Sequence, residues 1–228
     1  MANAMNASPN RPRVNIGGYT LGEEIANSIT SGVGTALSLA GLVILVVFAA
    51  LNGTVWHIVG VSVFGVSLVL SHLASTLYHA IAPPGAKRVL QIFDHLAIYI
   101  LIAGTYTPFT LVNLRGYWGG WLLGLVWALA LCGLLIKLTP LDRVRGLSTG
   151  FYIAMGWIAL MAIKPLVAHV ALGGLLFLIA GGLAYTLGVV FYAWRRLPYN
   201  HMIWHLFIII GGIFHFFAVL LYVVPYGV

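Results

Sequence analysis

Charge is what this chain most lacks: 7% of its 228 residues are Asp, Glu, Lys or Arg, and only four are acidic. A water-soluble domain carries about a quarter charged residues, so a surface built for water is excluded before any motif is read. Cysteine is nearly absent too. Cys132 stands alone inside an apolar run, which excludes a disulfide framework and a thiolate metal cluster. The polar residues 1–17 are not followed by a short apolar region with a cleavage site, so a cleaved signal peptide is not expected. No linker or low-complexity stretch marks a second domain. The net charge of +7 does not point to nucleic acid, because the eleven Lys and Arg are scattered between apolar stretches and do not line one face.

What remains is hydrocarbon: 61% of the residues are hydrophobic and the mean hydropathy is +1.03. A helix needs roughly 20 apolar residues to cross a bilayer core. Seven stretches qualify, at about 24–51, 56–81, 91–112, 118–138, 147–163, 166–194 and 200–224. They predict an all-α integral membrane bundle of seven transmembrane helices, a single domain over 21–228 behind a polar tail at 1–20. Lys164-Pro165 is taken as the border between the fifth and sixth spans. Pro108 is expected to kink the third span, and Pro198 suits the first turn of the seventh. Frequent glycines, such as Gly173, Gly174, Gly181, Gly182 and Gly188, read as sites of close helix packing.

Loop charges set the expected orientation. With the N-terminus inside, Arg11, Arg13, Lys87, Arg88, Lys137, Arg143, Arg145, Arg195 and Arg196 are cytoplasmic, and only Arg115 and Lys164 are outside. The expectation is a multi-pass inner-membrane protein with a cytoplasmic N-terminus and an external C-terminus. Trp56, Trp118 and Trp121 then fall at the outer interface.

Ionisable residues within spans default to functional hypotheses. His79 follows Ser75 by four residues near the cytoplasmic end of span two, and His201 and His205 repeat that spacing at the start of span seven. Two histidines at i and i+4 share a helical face and can present both imidazoles to one ion. The topology carries all three to similar depth. The spacing admits a metal site, and it equally admits plain helix packing. Asp94, six residues past Arg88, is expected ~9 Å inward along its helix, near enough to hold a metal-bound water or orient a ligand. Ser75 is placed to donate to an oxyanion. His57, His72, His169 and His215 read as packing or interfacial residues. Of these, His72 shares a face with His79, and His215 lies ~15 Å deeper than His205. His95 points about 100° away from Asp94 on an ideal helix. Glu23 and Glu24 suit a helix N-terminus; the alternative is that one of them faces the same cavity.

Together these motifs resemble the hemolysin III family, the bacterial branch of the progestin and adipoQ receptor group. The resemblance runs from Glu23 onward through Glu23-Glu24-Ile25-Ala26-Asn27, Ser75-x3-His79, Phe93-Asp94-His95-Leu96-Ala97-Ile98-Tyr99, Gly104-Thr105-Tyr106-Thr107-Pro108-Phe109 and His201-x3-His205. It implies an N-inside seven-helix bundle that holds Zn2+ through His79, His201 and His205, with Asp94 and Ser75 as supporting groups. The wider superfamily is similar to alkaline ceramidases, which hydrolyse a lipid amide. One departure stands out: the family's usual Thr-His-Gly is Thr30-Ser31-Gly32 here.

The leading expectation is a zinc-dependent lipid amide hydrolase or lipid-homeostasis factor. Asp94 and Ser75 would be catalytic, and an inner-leaflet membrane lipid would be substrate, with free fatty acid as a possible bound species. The rivals are a non-enzymatic sensor or scaffold with structural zinc, then a metal or proton transporter, then a cytolysin. No protein partner can be inferred.

Overall fold

The computed structural model describes residues 18–144 and 146–224, without the side chains of Asp142 and Arg143. Arg11, Arg13 and Arg145, counted above for orientation, lie outside the described residues. The helices are α1 (Leu21–Asn52), α2 (Val55–Ala80), α3 (Pro84–Leu111), α4 (Tyr117–Lys137), α5 (Leu147–Gly156), α6 (Ile163–His169), α7 (Leu172–Ala193) and α8 (Asn200–Tyr222). A 3-10 turn, Ile158–Ala162, joins α5 to α6 into one span, Leu147–His169. Among the described residues, seven units are therefore long and apolar enough to cross a membrane.

The first three starts have local causes. Thr20 caps α1 in a reciprocal box: its hydroxyl accepts from the Glu23 N–H at 3.3 Å, and the Glu23 carboxylate accepts from the Thr20 N–H at 2.9 Å. Thr54 and His57 make the same box for α2, with the Thr54 N–H 3.0 Å from His57 Nδ1. Pro84 opens α3, where a missing N–H costs nothing. At 32 residues α1 is ~48 Å long, longer than the ~30 Å hydrocarbon core, so it extends into the headgroup region or tilts. Leu21, Ile25, Ile29 and Val33, spaced by four, are all more than half exposed along it. In water that stripe would be a liability; against lipid chains it is the expected surface.

The helices pack in the order α4, α3, α2, α1, α8, α7, and α5–α6 closes the ring between α7 and α4. Burial divides the bundle by depth. One half holds an apolar core that includes Leu45, Val61, Phe64, Leu101, Val126 and Val219. The other half, built from the starts of α1, α3 and α8 and the end of α2, buries Glu24, Asn27, Ser75, His79, Asp94 and His205. Polar groups in the apolar half bond largely to their own helices. Thr105, Thr107 and Thr110 return hydroxyls to the carbonyls of Leu101, Ala103 and Tyr106, and His215 Nδ1 lies 2.8 Å from the Gly211 carbonyl. Close approach explains two glycines: a Cβ at Gly181 would lie 2.3 Å from the His215 ring, and one at Gly211 the same distance from Tyr185. The Tyr185 and His215 rings stack at 5.3 Å between α7 and α8.

Four expectations need correction. Lys164-Pro165 does not separate two spans: Pro165 sits in the first turn of α6, where proline is tolerated, and the break falls at Val170 and Ala171. Helix α3 begins at Pro84, seven residues before the expected 91. Pro198 precedes α8, because Tyr199 stands between them at φ 56. That left-handed turn is uncommon for a residue with a Cβ, and it is held by the Tyr199 N–H donating to Glu23 Oε1 at 3.3 Å. Lys87, assigned to a cytoplasmic loop, is 0% exposed inside α3. Trp56 and Trp118 do share an end of the bundle, where Arg115 sits 4.7 Å over the Trp56 ring.

Candidate metal centre

His79 lies in the last turn of α2, and His201 and His205 lie in the first two turns of α8. The i, i+4 spacing puts the latter two on one face, and their rings meet that of His79 across the bundle interior. Ring centroids are 5.0 Å apart for His79 and His201, 5.3 Å for His79 and His205, and 4.5 Å for His201 and His205. Each offers a ligand nitrogen within 4.8 Å of the others. All three residues are buried. His79 Nε2 and both His201 nitrogens have no hydrogen-bond partner among the described residues. A buried polar atom left unpaired costs about 1–3 kcal/mol, so these atoms need an explanation. A metal ion held by one nitrogen from each residue would pair His79 Nε2 and one nitrogen of His201. Three imidazoles suit zinc as well as copper, iron or nickel.

Asp94 and Ser75 stand beside this cluster. Ser75 Oγ is 3.5 Å from His205 Nε2, and its side chain hydrogen-bonds the Asp94 carboxyl. Ser31 donates to Ser75 Oγ at 3.1 Å, so the serine at the departing motif is built into the same chain of polar contacts. The two first-turn acids divide their work. Glu23 caps α1 and holds the Tyr199 turn, while Glu24 Oε2 lies 2.6 Å from His79 Nδ1. The signal for this was present: Glu24, Asn27, Ser31, Gly34 and Ser38 are polar or small at alternating spacings of three and four, and all are buried. That is one helical stripe turned inward.

Tyr19 was missed altogether. Just ahead of α1, it lays its ring 5.0 Å from that of His201 and 5.8 Å from that of His79. Burial above all, then the neighbouring Tyr192 and Tyr78 phenols and the Asp94 and Glu24 carboxylates, pushes its own phenol pKa well up, so it stays neutral. His72 is buried on the shared α2 face, against Gly34, and is not one of the clustered three. His57 and His169 serve helix ends, His169 Nδ1 lying 2.8 Å from the Pro165 carbonyl. His95 lies within electrostatic reach of His201.

Sequence comparison agrees with this architecture. The profile of the family described as "Haemolysin-III related" matches residues 19–216. A protein named "Hemolysin-3 homolog" from Bacillus subtilis (strain 168) is 48% identical over 206 residues, covering 90% of this chain and 97% of that protein. "Hemolysin-3" from Bacillus cereus is 47% identical over 203 residues, 89% of this chain and 93% of its own. More distantly, the "Monocyte to macrophage differentiation factor" of Homo sapiens is 25% identical over 175 residues, 74% of this chain and 72% of that protein. With a profile match over most of its length and two such relatives, this multi-pass membrane protein belongs to the haemolysin-III related family.

Proposed function

We propose that the chain is a zinc-dependent hydrolase of a lipid amide or related acyl bond. In this reading it sits in the bacterial inner membrane with its N-terminus in the cytoplasm, and works on the inner leaflet. The observation that carries the reading is the Ser75–Asp94 pair set against three clustered, buried imidazoles, with His79 Nε2 and both His201 nitrogens lacking partners among the described residues. His79, His201 and His205 would hold the ion, which when bound polarises a carbonyl and lowers the pKa of water toward ~7. Asp94 accepts the proton of the attacking water and returns it to the leaving amine, giving free fatty acid and amine. Ser75 turns its hydroxyl toward the developing oxyanion, and Ser31 orients Ser75.

A groove of about 200 Å³ between α1 and the end of α2, lined by Leu21, Ile25, Ile29, Ala80 and Ala82, reaches Glu24 and His79. It is smaller than the ~300–1,000 Å³ usual for a whole ligand. It therefore suits the carbonyl and headgroup of a lipid whose chain stays outside along α1. Purified protein loaded with zinc, given ceramide, phospholipid and N-acyl amides, is expected to release fatty acid, read by mass spectrometry, and a chelator should stop the release. Fatty-acid release from none of these substrates by the zinc-loaded protein would remove the hydrolase reading.

Near-complete burial of the three histidines, at 4%, 6% and 5% exposure, favours a second reading: a structural ion tying α2 to α8 in a sensor or scaffold. Thermal melts with and without chelator separate the two. A structural ion raises the midpoint by several degrees through its preferential binding to the folded state, and its ligand variants lose stability and not turnover.

A further inference from the structure

We propose that Glu24 is the positioning residue of His79, and that the buried Lys87 holds Glu24 in place for that task. The inference rests on the metal reading of the three histidines. It concerns a residue that contacts no ligand position itself.

The geometry runs through three helices. The Glu24 carboxylate stands between two buried partners: Oε2 is 2.6 Å from His79 Nδ1, and Oε1 is 3.1 Å from Lys87 Nζ. A carboxylate only accepts, so Nδ1 carries the proton and donates it. That fixes His79 as the tautomer whose Nε2 bears the lone pair, and Nε2 is the buried nitrogen without a partner. The Asn27 amide is 3.4 Å from the same Nδ1, too long to compete with the carboxylate. Lys87 is pinned in turn. Its ammonium donates to the Tyr78 carbonyl at 2.7 Å and lies 4.6 Å from the centroid of the Tyr78 ring, one residue before His79.

This arrangement explains an otherwise costly feature. Burying an isolated carboxylate or ammonium in an apolar bundle is strongly unfavourable, and a buried pair is at best near break-even. A lysine brought wholly inside at the start of α3, where water is one turn away, needs a use. Here it keeps an anion aimed at one imidazole nitrogen. His201 has no comparable carboxylate among its described contacts and His205 meets only the Ser75 hydroxyl at 3.5 Å, so His79 is the ligand held by a charged partner before an ion arrives. Fixing the tautomer and the ring angle of one ligand raises its basicity and lowers the cost of assembling the site.

The test uses the full-length protein in detergent, with zinc and cobalt as probes. Glu24→Gln is expected to weaken zinc binding about 10- to 100-fold in chelator competition. It should still take up one equivalent at saturation, with a shifted cobalt absorption spectrum. Lys87→Met should weaken binding in the wild-type background and add nothing to Glu24→Gln, because Lys87 acts only through Glu24. Glu24→Asp, which keeps the charge but retracts it, should recover part of the affinity. A Glu24→Gln protein with wild-type zinc affinity and an unshifted cobalt spectrum, but a lower melting temperature without metal, would make Glu24 merely structural. Additive losses in the double variant would break the Lys87 link. Zinc and cobalt failing to bind the wild type would instead overturn the metal reading beneath it.

Discussion

Replacing His201 with alanine is expected to release the bound metal while leaving a folded protein. His201 has both ring nitrogens buried and without partners, flanked by Tyr19 at 5.0 Å and Tyr192 at 5.7 Å between ring centroids. Truncation leaves a cavity, which destabilises by a few kcal/mol at most when the site partly collapses. It also removes two unpaired polar atoms whose burial costs about 1–3 kcal/mol each. The two effects oppose one another, so the fold should survive. Metal binding has no such compensation, because two imidazoles on different helices remain where three converged. Elemental analysis after dialysis should find one equivalent in the wild type and almost none in His79→Ala, His201→Ala and His205→Ala. His215→Ala, buried in the apolar half, should keep its metal. A full equivalent retained by His201→Ala would sink the assignment.

The same experiment tests a division that runs through the whole molecule. Polar groups in the apolar half mostly bond within their own helices, as Thr105, Thr107 and Thr110 do. In the other half they reach across helices, as Glu24 does to His79 and Ser31 to Ser75. Contacts that join a carboxylate to an imidazole or an ammonium across helices therefore concentrate at that end, while Tyr106, Trp127 and Trp157 make interhelical hydrogen bonds in the apolar half. That distribution fits a site entered from one side, and His79, His201 and His205 are the one such ligand group among the described residues.

The spans were legible because a bilayer demands length and apolarity, and both can be counted along a chain. The histidine cluster was legible because i, i+4 spacing fixes a face and topology fixes depth. What was hidden depends on rotation and context. Glu23 and Glu24 are neighbours about 100° apart on α1, and nothing in either residue type says which turns inward. Both are buried, four and three residues before Asn27 on the inward stripe, and only their contacts separate them: Glu23 caps α1 and Glu24 meets His79. Lys87 looked like an ordinary loop cation because lysine next to Pro-Gly and Arg88 usually is one. Its burial follows from α3 starting at Pro84, which puts seven more residues into the helix than the loop reading allowed. Pro165 misled in the opposite direction: proline stops a helix from within but is harmless in a first turn, and the 3-10 segment before it resets the count.

Asp94→Asn is expected to abolish hydrolysis without releasing the metal. Asn keeps the size of Asp94 and an oxygen able to accept from Ser75, so the contacts that orient Ser75 toward His205 survive. It cannot take up a proton, and positioned acid–base catalysis contributes typically 10²–10⁴-fold. The catalytic constant for a substrate found by fatty-acid release should fall by about that factor, with metal content unchanged. Ser75→Ala should lose about 10²–10³-fold if its hydroxyl meets the oxyanion. Ser31→Ala, acting only through Ser75, should lose less than Ser75→Ala and nothing further in the Ser75→Ala background. The ordering of the three variants carries the information. A structural Asp94 would show itself by lost metal or a lowered melting temperature at constant turnover per folded molecule. Unchanged turnover in a metal-loaded Asp94→Asn protein would remove Asp94 from the chemistry.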